Sequence, residues 1–150
     1  MAHVTSGTVY TIINKQGGTV VDLNQSTIRG AISDYGAPQQ WEAEPVNKAL
    51  NLYYIRNVSQ GTYLSVQGEP SAGSPVFSTT TKQIWEIRPD ALAPNPNLGQ
   101  VVRIYYQSMN LMLDLSGGSP APDTPIVMNT VTSPGTNQEW RIEGIIGSKE

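Results

Sequence analysis

The chain has 150 residues, of which 14% are charged, and a net charge of −3 with a pI near 5.1. That balance speaks against nucleic acid and against a polybasic membrane contact, because both need clustered Lys and Arg to meet phosphates. There are no cysteines, which rules out disulfides, a thiolate nucleophile and Cys-ligated zinc.

Glycine and proline punctuate the chain every few residues, and short runs of Val, Ile, Tyr and Thr lie between them. This composition predicts an all-β protein of many short strands. No stretch holds a 3.6-residue period long enough for a helix. Residues 1–6 lack the charged and apolar regions of a secretion signal, which predicts a cytoplasmic protein with no membrane segment. The Asn24-Gln25-Ser26 and Asn57-Val58-Ser59 triplets match the N-glycosylation pattern, and in that setting are expected to be coincidental.

In chain order, the first strand is expected at Tyr10-Thr11-Ile12-Ile13-Asn14, with a turn at Gly17-Gly18 and a second strand at Val21-Asp22-Leu23. A third run spans 28–32, and Gln39-Gln40-Trp41 opens a fourth strand, Trp41-Glu42-Ala43. The pattern then repeats. Tyr53-Tyr54-Ile55-Arg56-Asn57 leads to Leu64-Ser65-Val66, a run at 76–78, and Gln83-Ile84-Trp85 with Glu86-Ile87. Across a Pro/Asn-rich loop at 90–100, Arg103-Ile104-Tyr105-Tyr106-Gln107 opens a third copy. It continues through Leu113-Asp114-Leu115 and a run at 126–128 to Gln138-Glu139-Trp140 with Arg141-Ile142. The fourth strands alternate apolar, charged, apolar, so each Trp and the residue two later share one face, expected to be the core. These are three copies of about four strands, roughly 7–45, 50–89 and 101–144, within one domain of residues 1–150.

A threefold repeat of this length, each copy closing on Gln-x-Trp, resembles the ricin-B-like lectin family, which folds as a β-trefoil. The segments Ser6-Gly7-Thr8-Val9-Tyr10, Ser59-Gln60-Gly61-Thr62-Tyr63-Leu64 and Asn137-Gln138-Glu139-Trp140 are similar to its fungal branch. The resemblance implies up to three sugar pockets. Each would combine an Asp on the second strand, an aromatic platform after the third, and an Asn beside the Gln of Gln-x-Trp. Such a site gives a sugar hydrogen bonds at its edge and an apolar surface under its C–H groups.

Carried onto this chain, copy one keeps Asp22 and Gln39, but Ala31 stands at the platform position, Asp34 at a position commonly histidine, and Pro38 in place of Asn. A slightly different register puts Tyr35, the nearby aromatic, at the platform position. Copy two has Ser65, Thr79 and Lys82 in the three slots. Copy three keeps Asp114, Asn137 and Gln138, with Asn129 at the platform. The plain alternatives are that Asp22 and Asp114 are turn or strand-edge carboxylates bonded to backbone N–H groups, and that Asn137-Gln138 ties a loop to a strand. The remaining tyrosines (Tyr10, Tyr53, Tyr54, Tyr63, Tyr105, Tyr106) are expected in the core or at its rim.

The one histidine, His3, sits near the N-terminus, and no pair of acids stands out, so no catalytic residue, metal ligand or cofactor is expected. Two binding functions remain. The resemblance extends to the fungal cocaprins, acidic β-trefoil inhibitors of papain-like cysteine and pepsin-like aspartic proteases. It implies a protease-contact loop at Asn24-Gln25-Ser26-Thr27 and a possible homodimer. No copy keeps its aromatic platform in register, which favours the inhibitor reading, with a glycan-binding lectin of reduced valency as the alternative.

Overall fold

A computed structural model of the chain describes residues 9–89, 101–132 and 135–144. The expectations for residues 1–6, including His3, and for the loop at 90–100 fall outside these residues. The described residues form twelve strands and no α-helix.

Each copy contributes four strands. Copy one has β1 (Val9–Asn14), β2 (Val20–Asn24), β3 (Thr27–Ala31) and β4 (Trp41–Asn47). Copy two has β5 (Leu52–Asn57), β6 (Tyr63–Ser65), β7 (Phe77–Thr79) and β8 (Trp85–Pro89). Copy three has β9 (Val101–Tyr106), β10 (Leu111–Leu115), β11 (Thr124–Thr130) and β12 (Trp140–Gly144).

The first and fourth strands of the copies pair in a closed ring, β1–β4–β5–β8–β9–β12 and back to β1. Closure removes the free edges that an open sheet would expose. The second and third strands make three hairpins, β2–β3, β6–β7 and β10–β11. They meet around one axis through the pairs Thr27–Phe77, Arg29–Pro125 and Pro75–Val127. A six-stranded barrel capped by a triangle of hairpins is the β-trefoil that the resemblance implied.

The Gln-x-Trp tryptophans join the two layers. Trp41, Trp85 and Trp140 are fully buried, and each indole N–H donates to a backbone carbonyl on its own copy's hairpin. The acceptors are Val21 at 3.0 Å, Leu64 at 2.8 Å and Leu113 at 3.2 Å. An unmade bond at such a site would cost about 1–3 kcal/mol, so the indole is better suited than phenylalanine here. Ala43, Ile87 and Ile142 are buried beside them on the same face, as period-two alternation requires. Tyr10, Tyr53 and Tyr105 are buried; Tyr54, Tyr63 and Tyr106 are half-buried at the rim.

One local expectation changes. Ile32 does not extend the third strand: β3 ends at Ala31, and Ile32 turns into solvent because its carbonyl accepts from the Gln39 side chain at 2.9 Å. Asn57 is buried and its amide donates to the Pro38 carbonyl at 3.0 Å, so the acceptor side chain of the second glycosylation triplet is enclosed while Val58 and Ser59 stay exposed.

Candidate functional site

In copy three the expected polar residues converge. Asp114 lies on β10 with its side chain on the face opposite Leu113 and Leu115. The residues Thr136–Gln138 make a short 3-10 turn that lies against the same hairpin. Gly135 starts that turn at φ 62°, in the left-handed region, and a Cβ there would collide with the Thr132 carbonyl oxygen. From this turn Asn137 Nδ2 donates to Asp114 Oδ1 at 2.9 Å, and Gln138 Nε2 donates to Asp114 Oδ2 at 3.0 Å.

Gln138 is bound on every side. Its Nε2 also donates to the Thr130 carbonyl at 2.7 Å, and its Oε1 accepts from the Thr132 N–H at 2.9 Å and Arg103 Nη1 at 3.1 Å. Asn137 Nδ2 reaches the Leu115 carbonyl at 3.2 Å. The pair therefore ties loop to strand, as the plain alternative held, and grips the carboxylate as well. Asp114 is only 3% exposed. Burial pushes its carboxyl above the usual carboxylate range, and hydrogen bonds from Gln138, Asn137 and Asn129 partly offset that push.

Copy one holds its acid differently. Asp22 Oδ2 accepts from Arg29 Nε at 2.8 Å across the β2–β3 pair, where the two residues stand directly opposite. Arg29 also contacts Asp123 of copy three through Nη1. Gln39 is buried but serves the loop backbone, donating to Ile32 and accepting the Asp34 N–H at 2.9 Å. The partners of Asp22 and Asp114 are thus side chains, not the backbone N–H groups expected for turn carboxylates. Tyr35 is 76% exposed with φ 60°. Gln40 Nε2 donates to its carbonyl at 2.9 Å and Asp34 Oδ1 accepts the Gly36 N–H at 2.7 Å, so an outward-facing ring sits on a fixed backbone. The structure brings Asp22 to Arg29 rather than to Gln39 or Tyr35.

Copy two has closed on itself. Ser65 Oγ and Thr79 Oγ1 lie 2.8 Å apart, and Lys82 Nζ sits over the rings of Tyr54 and Tyr63 at 5.4 and 5.5 Å. The three platform positions are equivalent by pairing: Ala31 faces Val20, Thr79 faces Tyr63, and Asn129 faces Met112. The register expected for them holds, and no aromatic occupies any of the three.

The family described as "Ricin-type beta-trefoil lectin domain-like" matches residues 37–129, more than half of the chain. The chain belongs to this family. Among solved structures, the Macrolepiota procera ricin B-like lectin in complex with lactose is 32% identical. The match covers 95% of this chain and 99% of that one, with a TM-score of 0.84. The Rhizoctonia solani agglutinin is 24% identical over 97% of this chain and 100% of that one, with a TM-score of 0.81. A designed threefold-symmetric protein, ThreeFoil, is 18% identical over 91% and 99%, with a TM-score of 0.80. These last two share the fold. No curated protein sequence matches the chain.

Family membership alters the weight of the two binding functions. The family and the 32% identical Macrolepiota procera lectin point to lectins, so carbohydrate binding is the better-supported of the two, against the preference for protease inhibition drawn from the sequence. The loop Asn24-Gln25-Ser26-Thr27 is a tight hairpin turn: Asn24 pairs with Thr27, and Gln25 takes φ 60°. Gln60 Nε2 donates to the Gln25 carbonyl at 3.1 Å and holds the turn to copy two. Among the described residues no group of three or more His, Asp or Glu gathers as a metal site.

Several contributors were not anticipated. Asn14 is buried, accepts the N–H groups of Gln16 and Gly17, and donates from Nδ2 to the Asn137 carbonyl at 3.0 Å. Asn57 does the same for the Pro38 carbonyl. The loops of copies three and one are therefore each stapled by the copy that follows around the barrel. The signal was present in the repeat, since both residues end a first strand and precede a turn. Arg29 and Arg103 gave no such signal.

Proposed function

We propose that the protein is a carbohydrate-binding lectin with one working sugar site, in copy three. The observation that carries this reading is the convergence of Asn137 and Gln138 on both oxygens of Asp114. A carboxylate oxygen accepts about two hydrogen bonds, so with Asn137, Gln138 and Asn129 donating, the Asp114 carboxylate retains one acceptor position for a sugar hydroxyl. The amides orient the carboxylate beforehand, which lowers the ordering cost of binding. Asn137 Oδ1 offers a further acceptor, and Val131, two residues past Asn129, is exposed near the empty platform position in sequence. In copy one, Arg29 already neutralises Asp22, so a sugar there would compete with an ion pair at 2.8 Å. Supporting the reading are the family and the 32% identical lectin solved with lactose.

Without a ring beneath the sugar, binding is expected to be weak. Stacking on aromatics contributes roughly 1–3 kcal/mol in the comparable case of nucleobases, so a monovalent Kd in the millimolar range fits. A glycan array followed by calorimetry with lactose tests the reading, with one sugar expected per chain. An array blank at high protein density removes it. The inhibitor reading finds some support in the fixed Asn24–Thr27 turn, because a rigid loop resists cleavage. Papain and pepsin assays with excess protein test it, and full activity of both enzymes would exclude it.

A further inference from the structure

A cavity of about 470 Å³ lies where the three hairpins meet. Three cross-copy pairs ring it: Thr27–Phe77, Pro75–Val127 and Arg29–Pro125. The buried side chains Ile28, Val76 and Ile126, one from each copy, close its floor over the barrel core. The size is in the range of small-molecule sites, roughly 300–1,000 Å³.

The threefold symmetry is broken at the ring. Phe77, Pro75, Val127 and Pro125 make most of the wall apolar, while Arg29 and Asp123 put charge on one side. Arg29 is committed twice, through Nε to buried Asp22 at 2.8 Å and through Nη1 to Asp123. Two carboxylates thus share one guanidinium, leaving one net negative charge. The surplus lies on Asp123, whose side chain is 70% exposed. An anionic ligand would have to displace Asp123 from Arg29 and add a further negative charge. A cation can bind the free lone pairs of the Asp123 carboxylate with both Arg29 contacts kept.

We propose that this cap cavity is a second ligand site, for a small protonated amine with an aryl or alkyl body. The body lies against Phe77, Pro75 and Val127, and the ammonium donates to Asp123. The site draws on all three copies, so its valency is one whatever the state of the sugar pockets, and it stands or falls independently of lectin activity.

The test is an NMR titration of the isotope-labelled full chain with three probes sharing one ring: phenethylammonium, phenethyl alcohol and phenylacetate. Saturable shifts are expected at the amides of Phe77, Val127 and Asp123, with the amine binding at least fivefold tighter than either other probe. Asp123→Asn should bring the amine to within about twofold of the alcohol, and Val127→Trp, which fills the bowl, should abolish all three. Asp123 lies on an exposed loop, so its variant decides the matter even if Val127→Trp fails to fold. Absence of saturable shifts with the amine, equal or tighter binding of phenylacetate, or an undiminished preference in Asp123→Asn would each overturn the proposal.

Discussion

Replacing Asp114 with alanine separates the sugar site from its neighbours. In the proposed site the carboxylate accepts hydroxyl hydrogen bonds from the sugar, and a hydrogen bond to a charged group contributes about 1.5–3 kcal/mol. At about 1.4 kcal/mol per decade, losing one such bond weakens binding by roughly ten- to hundredfold. The fold should survive, because Gln138 keeps the Thr130 carbonyl and Asn137 keeps the Leu115 carbonyl as acceptors. The change also removes a buried carboxylate whose desolvation works against the folded state. Asp22→Ala is the internal comparison: its carboxylate is already held by Arg29, so sugar affinity should stay within about twofold. Calorimetry with lactose, or with the strongest glycan on the array, reads both variants, and circular dichroism checks the fold. Unchanged affinity in folded Asp114→Ala, or a loss confined to Asp22→Ala, would refute the assignment of the site to copy three.

The same geometry makes three other measurable statements. The Asp114 carboxyl titrates above the usual carboxylate range; its raised folded value means its contribution to stability is largest at low pH and is lost as pH rises through that value. Sugar binding should run the opposite way, weakening as pH falls through the same midpoint, and a flat binding profile down to the ordinary Asp range would count against the role of the carboxylate. Asn14→Ala strands buried partners at a cost of about 1–3 kcal/mol, lowering Tm by on the order of 5 °C. It should weaken sugar binding, whereas Asn57→Ala, which staples the copy-one loop, should lower Tm without doing so; equal effects on binding would contradict the staple. Ala43→Val should raise stability, since Ala43 borders a void of about 20 Å³ among Ile12, Ile55, Ile87, Ile104 and Ile142. At about 24 cal/mol per Å³ the gain is roughly 0.5 kcal/mol, and a lowered melting temperature would show that the barrel has no room there.

Strand alternation carried much of the fold. It placed Trp41, Trp85 and Trp140 on the core face with Ala43, Ile87 and Ile142, and the repeat register, read with the family resemblance, set Ala31, Thr79 and Asn129 in equivalent positions. Period-two patterning is local, so it can be read along a strand without knowing what the strand packs against. The copy-three acid and its two amides came from the resemblance to the ricin-B-like lectins, whose sugar-site pattern was laid onto that register.

The fate of each acid was a different matter. Asp22 and Asp114 occupy matching strand positions, yet one is bound by a guanidinium and the other by amides. Arg29 stands directly across the hairpin from Asp22, and its second partner, Asp123, lies 94 residues further along. The staple from Asn14 reaches across 123 residues to the loop it holds. Repeat patterning establishes which face of each strand turns inward and hence that three copies can close into a barrel. The Asp22–Arg29 pair forms within one hairpin, but the Arg29–Asp123 contact, loop stapling and the bowl at the hairpin cap depend on which copies become neighbours once the ring is shut, and only that closure brings those distant residues within bonding distance.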